Sequence, residues 1–379
     1  SHRMLDMQTA SISFLMDHLD WDFLMGVFFD TDRILHQVWH YLDPEHPLRK
    51  ADAAVDKSGP VIEYFDHLDR CIGQLVDQAG PHANIIVMSD HGMGAAHNMI
   101  TLNTWLLNHK HIQLKGSLFT QLKRILFRLG FTLRFSHRLL ALFRLEKHAE
   151  YKLLYSADRI LKKVFLSFND VDWKRTSVYS VGRDIGPLFI NLKGREPHGV
   201  VESGEEYARL RASLAEAARA MTDPGTGKKL ARKVLFREDV YNGPYLGMAP
   251  DLIIEPGDED VFYGLSDFGS NQVYEPFYRY SGMHRAHGLL IMHGPDFNSG
   301  QRVEGAEIID LAPTILHALG RAIPDDMDGR PLLATFKNAA TPKYRAVDRD
   351  SGGTTQDSGY SREESYDIED RLRKLGYLG

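Results

Sequence analysis

The stretch Asn84-Ile-Ile-Val-Met-Ser-Asp-His-Gly-Met-Gly94 decides the fold class of this 379-residue chain. Residues 85–88 are apolar without interruption and without helical spacing, which predicts a strand covered on both faces, as in a parallel sheet. The run ends at Asp90 and His91. Ligands of open α/β sheets bind outside the carboxyl ends of the strands, and a carboxylate beside an imidazole suits a cation such as Zn²⁺. A plain strand followed by an Asp-His-Gly turn would also explain the pattern.

A second apolar run, residues 21–29, predicts another buried strand, and Asp32 and His36 follow it. If the chain enters a helical turn there, their four-residue spacing places both side chains on one face. The alternative is an acidic helix cap beside an unrelated surface histidine. We interpret the neighbouring His40 and His46 as bystanders.

A third candidate region is the glycine-bounded loop that precedes residues 289–294, a further predicted buried strand. His284 and His287 both lie in this loop. Either imidazole could face a site at the edge of the sheet.

Helices and strands alternate along much of the chain. Amphipathic spacing, proline and glycine predict helices near 7–19, 57–78, 205–221 and 311–319, and apolar runs predict strands at 178–181, 187–192 and 250–256. This order predicts an α/β fold with a largely parallel central sheet sandwiched by helices. Asp251 is interpreted as local structure that could neighbour the site, and Asp310 as the cap of the last of these helices.

The composition, 43% hydrophobic and 25% charged residues, is typical of a globular protein. The net charge of -6 gives no reason to expect a nucleic-acid duplex as a partner. The single cysteine, Cys71, excludes an intramolecular disulfide, and its place in a helical pattern indicates packing. No apolar run reaches the length of about 18 residues that a transmembrane helix needs.

Residues 116–163 are basic and rich in Leu and Phe, and within them 118–144 hold six Lys or Arg residues and no acid. Such a segment is typical of a basic amphipathic helix in a membrane interface. It could equally be a helical insertion packed on the parent domain, or a lid over a site for an anionic substrate. The predicted organisation is a first part of the metal-binding core, the insertion, a second part of the core, and a loose linker with a C-terminal helix, over residues 1–115, 116–170, 171–337 and 338–379.

Ser1-His-Arg-Met4 resembles the remnant of a cleaved expression tag, and no signal peptide follows it. We therefore expect that further sequence precedes this chain in the natural protein. The expected location is the cytoplasm or the periphery of a membrane.

Four segments together resemble the alkaline phosphatase superfamily, in the branch of the type I phosphodiesterases/nucleotide pyrophosphatases and their bacterial relatives. They are Phe29-Asp-Thr-Asp-Arg-Ile-Leu-His36, Ser89-Asp-His-Gly-Met93, residues 282–295 beginning Gly-Met-His-Arg, and Asp310-Leu-Ala-Pro-Thr-Ile-Leu-His317 with Met327-Asp-Gly-Arg330. Their shared order makes the resemblance specific, and it implies an alkaline-phosphatase-like fold.

The resemblance implies two divalent ions, usually zinc, although manganese and iron also suit Asp and His ligands. By the motif match, Asp32, His36 and His284 hold one ion, and Asp90 and His91 hold the other. In such a pair, one ion lowers the pKa of a hydroxyl nucleophile and the other neutralises charge on the leaving oxygen.

His284 is preferred to His287 because it lies in the Gly-x-His-Arg pattern, and Arg285 is a candidate contact for a phosphate oxygen. The family's initial strand, with its metal-ligating Asp and the Ser or Thr nucleophile after it, has no counterpart, and Thr31 is too close to Asp32 to serve. We therefore expect at most one well-bound ion and little hydrolytic activity from this truncated form.

The implied function is metal-dependent hydrolysis of phosphate esters by a phosphodiesterase or nucleotide pyrophosphatase, acting on a small molecule or a lipid head group. Two alternatives remain open. One is a phosphoglycerol or phosphoethanolamine transferase that acts on lipid or glycan, which the basic insertion would suit. The other is a binding module that kept the fold and lost the chemistry.

Overall fold

A computed structural model describes residues 2–46, 48, 49, 58–132, 135, 164–182, 185–258, 261–264, 268–277 and 280–347. In these ranges the helices are α1 His2–His18, α2 Asp30–Leu42, α3 Ser58–Ala79, α4 Leu102–Asn108, α5 Leu118–Arg128, α6 Glu205–Ala220, α7 Arg237–Val240 and α8 Leu311–Ala318. The strands are β1 Ile85–Met88, β2 Gly92–Ala95, β3 Asn98–Ile100, β4 Val178–Tyr179, β5 Gly186–Ile190, β6 Ala231–Phe236, β7 Leu252–Pro256, β8 Val261–Tyr263, β9 Tyr274–Pro276, β10 Gly282–Arg285, β11 Leu290–His293, β12 Ile323–Pro324 and β13 Tyr344–Arg345.

The predicted mixture of helices and strands is confirmed, but the described strands do not form the predicted large parallel sheet. They form five small sheets of two, two, two, three and four strands. In the four-stranded sheet, β5 pairs antiparallel with β4 and β7, and β7 pairs antiparallel with β6. An apolar run indicates nonpolar surroundings of a segment, but it does not indicate the direction of the neighbouring strands. The apolar runs were therefore insufficient evidence for a parallel sheet.

The predicted helices are confirmed within a few residues. Those expected near 7–19, 57–78, 205–221 and 311–319 correspond to α1, α3, α6 and α8. Glycines in the left-handed region follow two of them, with φ of 78° at Gly80 and 65° at Gly320. This conformation ends a helix at no steric cost only when the residue has no Cβ.

Three predicted buried strands need correction. Residues 85–88 form β1, but all four residues are only partly buried. Residues 21–29 form no strand, and Met25 within them is 70% exposed. Residues 290–293 do form a strand, but alternate side chains are exposed, so it is not covered on both faces. In all three places the apolar composition was insufficient evidence for a strand covered on both faces.

One compact unit consists of Ser1–His18, Met25–Gln78 and Met88–Leu289. Its largest hydrophobic core includes Leu188 and Ile190 of β5, Leu252 and Ile254 of β7, and Leu214 of α6, all almost fully buried. A smaller core joins α1 to α3 through Leu5, Tyr64 and Cys71. The interpretation of Cys71 as a packed side chain is consistent with this position.

The other compact unit consists of Leu19–Leu24, Ala79–Val87 and Leu290–Gly379. In it β12 and β13 pair in parallel, and α8 contributes the buried Pro313 and Thr314. Asp310 precedes α8, but its carboxylate does not cap that helix: it accepts hydrogen bonds from the backbone N–H of Glu307 and of Arg330, at 3.0 and 2.9 Å. The domain division predicted from the sequence stays a prediction.

Among the described helices, none combines the length and the apolar composition that crossing a bilayer would require. The segment 338–379 and most of the basic insertion, residues 133–163, lie largely outside the described residues, so the linker, the closing helix and the lid stay predictions.

Candidate metal centre

The centre lies where helix α2 meets the antiparallel pair β2 and β10. Asp32 and His36 are in the first turns of α2, and their spacing places them one above the other on one face, as the sequence predicts. In the strand pair, His284 lies opposite Met93 and Arg285 lies opposite Gly92. This register brings β10 beside the residues that follow Asp90 and His91.

Three side chains converge on one point. The Oδ1 atom of Asp32 lies 3.3 Å from Nε2 of His36 and 3.3 Å from Nε2 of His284. The two Nε2 atoms are 3.1 Å apart. These three candidate ligand atoms therefore form a nearly equilateral triangle. Two of the residues that supply it, Asp32 and His284, are 252 positions apart along the chain.

Backbone contacts orient His36 within this triangle. Its Nδ1–H donates to the carbonyl oxygen of Gly282 at 2.7 Å, which leaves the lone pair of Nε2 directed at Asp32. The N–H of Ser281 donates in turn to the carbonyl oxygen of His36 at 2.7 Å. A Cβ at Gly282 would lie 2.5 Å from the carbonyl oxygen of Leu35. Glycine is therefore required for β10 to approach α2 this closely.

His91 and Asp90 adjoin the triangle. The imidazole of His91 stacks on that of His284, with ring centroids 3.8 Å apart. Its Nε2 atom is 3.7 Å from Oδ1 of Asp32 and 3.6 Å from Oδ2 of Asp90. The Asp90 side chain is 75% exposed. The structure thus brings together the five side chains that the sequence proposed as ligands, and their role as ligands stays a prediction.

The electrostatics of Asp32 are unusual for a carboxylate. The close approach of the His284 imidazole, and next that of the His36 imidazole, holds the pKa of Asp32 well below its usual range, so it is ionised. Its Oδ1 atom is nevertheless buried and accepts no hydrogen bond of acceptable geometry. An oxygen and two imidazole nitrogens that face one another are stable only when a proton or a cation lies among them. The donor set, one carboxylate and two imidazoles, fits Zn²⁺ and its borderline relatives.

Arg285 is directed along the backbone. Its guanidinium donates to the carbonyl oxygens of His284, at 3.1 Å, and of Ala95. The proposed contact of this side chain with phosphate stays a prediction. Thr31 also has a backbone partner, because its hydroxyl donates to the carbonyl oxygen of Phe28 at 2.9 Å.

The loop that carries Asp90 and His91 is fixed by the segment just before β11. The N–H of Leu289 donates to Oγ of Ser89 at 2.7 Å, and the N–H of Ser89 donates to the carbonyl oxygen of Leu289 at 3.0 Å. A Cβ at Gly92 would lie 1.9 Å from the carbonyl oxygen of His287. His287 thus contributes its backbone to the packing of this loop.

Sequence reasoning missed one positioning residue. His46, read as a bystander, is almost fully buried, and its Nε2–H donates to the carbonyl oxygen of Ser281 at 3.0 Å. It therefore supports the start of β10, the strand that carries His284. Burial, and next the nearby His97, lower the pKa of His46. No local pattern could have found this contact, because 235 residues separate its partners.

The candidate centre lies within the part of the chain that matches a known protein family. The model of the type I phosphodiesterase / nucleotide pyrophosphatase family matches residues 2–289, which include all five candidate ligands. The chain belongs to this family. It lies in the alkaline phosphatase superfamily, as the four sequence segments predict.

One curated relative matches over a short stretch. A 2,3-bisphosphoglycerate-independent phosphoglycerate mutase of Rhodopirellula baltica is 40% identical over 58 residues, which is 14% of this chain and 11% of the mutase. The match thus spans only a small part of that enzyme's length. No solved structure matches the chain.

Proposed function

We propose that this chain carries out the metal-dependent phosphoester chemistry of its family at the cluster of Asp32, His36 and His284. Family membership supports phosphodiesterase or pyrophosphatase-type hydrolysis. The observation that carries the proposal is the triangle formed by Oδ1 of Asp32 and the Nε2 atoms of His36 and His284, with edges of 3.1–3.3 Å. A divalent ion held there would polarise a phosphoryl oxygen and offset the negative charge that develops on it.

The proposed ligand sets follow the motif match. Asp32, His36 and His284 would hold one ion, and Asp90 and His91 would contribute to a second. Proximity supports the second set, since Nε2 of His91 lies 3.6 Å from the Asp90 carboxylate. Zinc is the proposed ion for both, because the ligands are carboxylate oxygen and imidazole nitrogen.

The chain's own residues would orient the ligands and admit the substrate. The Gly282 carbonyl fixes the tautomer of His36, and the stacked rings of His91 and His284 restrict each other's rotation. The side chains of Asp32, His284 and Asp90 are all partly exposed. A phosphate ester could therefore approach this side of the cluster from solvent.

We expect slow turnover, because the hydroxyl of Thr31, next to Asp32, donates to the carbonyl oxygen of Phe28. The function should therefore be tested first by binding. We expect the zinc-loaded chain to bind inorganic phosphate in a calorimetric titration and to hydrolyse bis-p-nitrophenyl phosphate slowly. Asp32→Asn should abolish both signals.

The exposed Asp77→Asn, on α3, is the matched control and should leave both signals unchanged. Phosphate binding that is equal with and without zinc, or equal in Asp32→Asn, would contradict the proposal. Rapid hydrolysis by this chain would contradict only the expectation of slow turnover.

One observation favours the second candidate, an enzyme that acts at a lipid surface. Helix α5 and the residue after it expose an apolar face with a spacing of four, three and four residues, formed by Leu118, Leu122, Ile125 and Leu129. Leu118 is 91% exposed. Lys123, one of the three Lys or Arg residues of this helix, is instead buried, in an ion pair of 2.9 Å with Asp170. An exposed apolar face on a basic segment fits the interface of an anionic bilayer.

Co-sedimentation with vesicles that contain phosphatidylserine tests this candidate. We expect the chain to sediment with the vesicles and Leu118→Ser/Leu122→Ser to remain in the supernatant. Ile62→Ser removes an exposed apolar side chain from α3 and is the matched control. Equal sedimentation of both variants would argue against a membrane contact through α5.

A further inference from the structure

A second cluster of metal-ligating side chains lies in the same compact unit, between helices α1 and α3, and it involves none of the five candidate ligands above. It consists of Asp6, His67 and Cys71, whose candidate ligand atoms all lie within 4.8 Å of one another. We propose that this cluster is a separate binding site for a thiophilic divalent cation, with Zn²⁺ as the best fit.

The helical scaffold suits chelation. His67 and Cys71 are four residues apart on α3, so their side chains lie on one face of that helix, one turn apart. Helix α1 supplies Asp6 from the other side. Two ligands on one rigid helix and a third on its neighbour need little ordering when the ion binds, so the entropic cost of forming the site is small.

The contacts already present are those that a metal would replace. Nε2 of His67 lies 2.8 Å from Oδ1 of Asp6, close to the separation of two donors on one tetrahedral zinc, which is about 3.3 Å for bonds of about 2.0 Å. The thiol proton of Cys71 and the proton between His67 and Asp6 would pass to solvent.

Exposure to solvent increases across the cluster from Cys71 to His67 to Asp6, which gives an ion a path to the site. Cys71 is only 6% exposed, while the His67 side chain is partly exposed and the Asp6 side chain is largely exposed. A cavity of about 550 Å³, lined by Asp6, His67, Cys71 and His18 among others, opens beside them. An ion can therefore enter past Asp6 and leave one coordination position for water.

The competing explanation is a surface His-Asp hydrogen bond above a cysteine that only packs. Cobalt distinguishes the two, because a Co²⁺–thiolate bond gives a sulfur-to-metal charge-transfer band in the near ultraviolet. Cys71 is the chain's single cysteine, and the five candidate ligands of the other centre include no sulfur. The band therefore reports this site alone and does not depend on catalytic activity.

We expect the chain, titrated with Co²⁺ as the only added ligand, to develop this band and saturate it. Cys71→Ala should lose the band. Asp6→Asn and His67→Gln should each weaken the apparent affinity by about tenfold or more. Because Asp6 is largely exposed, Asp6→Asn keeps the test valid even if Cys71→Ala fails to fold.

Two control variants complete the design. His18→Gln changes another histidine that lines the cavity and should retain the band. Asp32→Asn should also retain it, which separates this site from the proposed phosphoesterase centre. A folded chain that binds Co²⁺ by equilibrium dialysis without the band overturns the proposal. A band whose affinity is unchanged in both Asp6→Asn and His67→Gln overturns it as well, because the thiol would then bind cobalt alone.

Discussion

Two carboxylates of the same compact unit, Asp251 and Asp32, have opposite surroundings. Asp251 is completely buried and meets only donors: the N–H of Ile190 at 2.6 Å, the hydroxyl of Tyr207 at 2.7 Å, and two nitrogens of Arg195 at 2.9 and 2.7 Å. Asp32 meets imidazole nitrogens that are acceptors unless they are protonated, and its buried Oδ1 accepts no hydrogen bond.

The difference indicates two roles. Every lone pair of Asp251 has a fixed donor, so the group is complete and stabilises strands β5 and β7 and helix α6. The group around Asp32 lacks a positive centre, and a cation would complete it. Both aspartates have a lowered pKa, so the pKa alone does not separate a structural carboxylate from a candidate ligand. The two kinds of carboxylate are separated by whether the partner atoms are hydrogen-bond donors, as around Asp251, or imidazole nitrogens that can also bind a metal, as around Asp32.

The largest expected effect is on the stability contributed by the group around Asp251. Arg195→Met would leave the Asp251 carboxylate buried with its main cation removed. We expect the free energy of unfolding, measured with urea at neutral pH, to fall by about 3–5 kcal/mol. Arg209→Met is the control, because Arg209 pairs with Glu205 at 2.9 Å on the exposed face of α6 and its loss should cost about 1 kcal/mol or less. Equal effects of the two variants would remove the distinction that the comparison draws.

The next effect concerns the group around Asp32, which a cation would complete. Zinc at about a hundred times its dissociation constant should raise the free energy of unfolding by about 2.7 kcal/mol. The measurement is a urea titration with and without zinc in the Cys71→Ala background, so that the thiol cluster does not contribute. Asp32→Asn should abolish the increase, and the exposed Asp77→Asn should not. An increase that survives Asp32→Asn would show that the stabilising ion lies elsewhere.

The sequence predicted most of the side chains at the candidate centre but little of what positions them. Asp32 with His36, and Asp90 with His91, stand out because their spacing and neighbours are local. The direction of strand pairing is non-local, so a parallel sheet was expected where the described pairs are mostly antiparallel. His46 was missed for the same reason, because its partner is the Ser281 carbonyl.

A smaller effect tests the close approach of β10 to α2. Gly282→Ala would place a methyl group 2.5 Å from the Leu35 carbonyl oxygen, and we expect it to lower the free energy of unfolding by about 1–3 kcal/mol and to weaken zinc binding. Gly73→Ala is the matched control: nothing lies within 4 Å of its Cβ in the interior of α3, so it should stabilise the protein by about 0.5–1 kcal/mol. Thermal unfolding with and without zinc measures both. If Gly282→Ala changes neither the stability nor the zinc binding, β10 and α2 can move apart without affecting the centre.

The smallest effect concerns His46, a buried imidazole whose Nε2–H donates to the carbonyl oxygen of Ser281. Its pKa is lowered in the folded protein, so below the ordinary value of 6.5 the unfolded chain binds the additional proton first. Stability should therefore be fully present above pH 6.5 and decrease as the pH falls through the lowered pKa. His46→Gln, which can still donate to Ser281, should flatten this part of the profile. The exposed His82→Gln is the control, and its profile of unfolding free energy against pH should match that of the unchanged chain. If the unfolding free energy of His46→Gln still decreases by the full amount below pH 6.5, that decrease arises from the titration of another group. His46 then contributes through packing and its hydrogen bond alone.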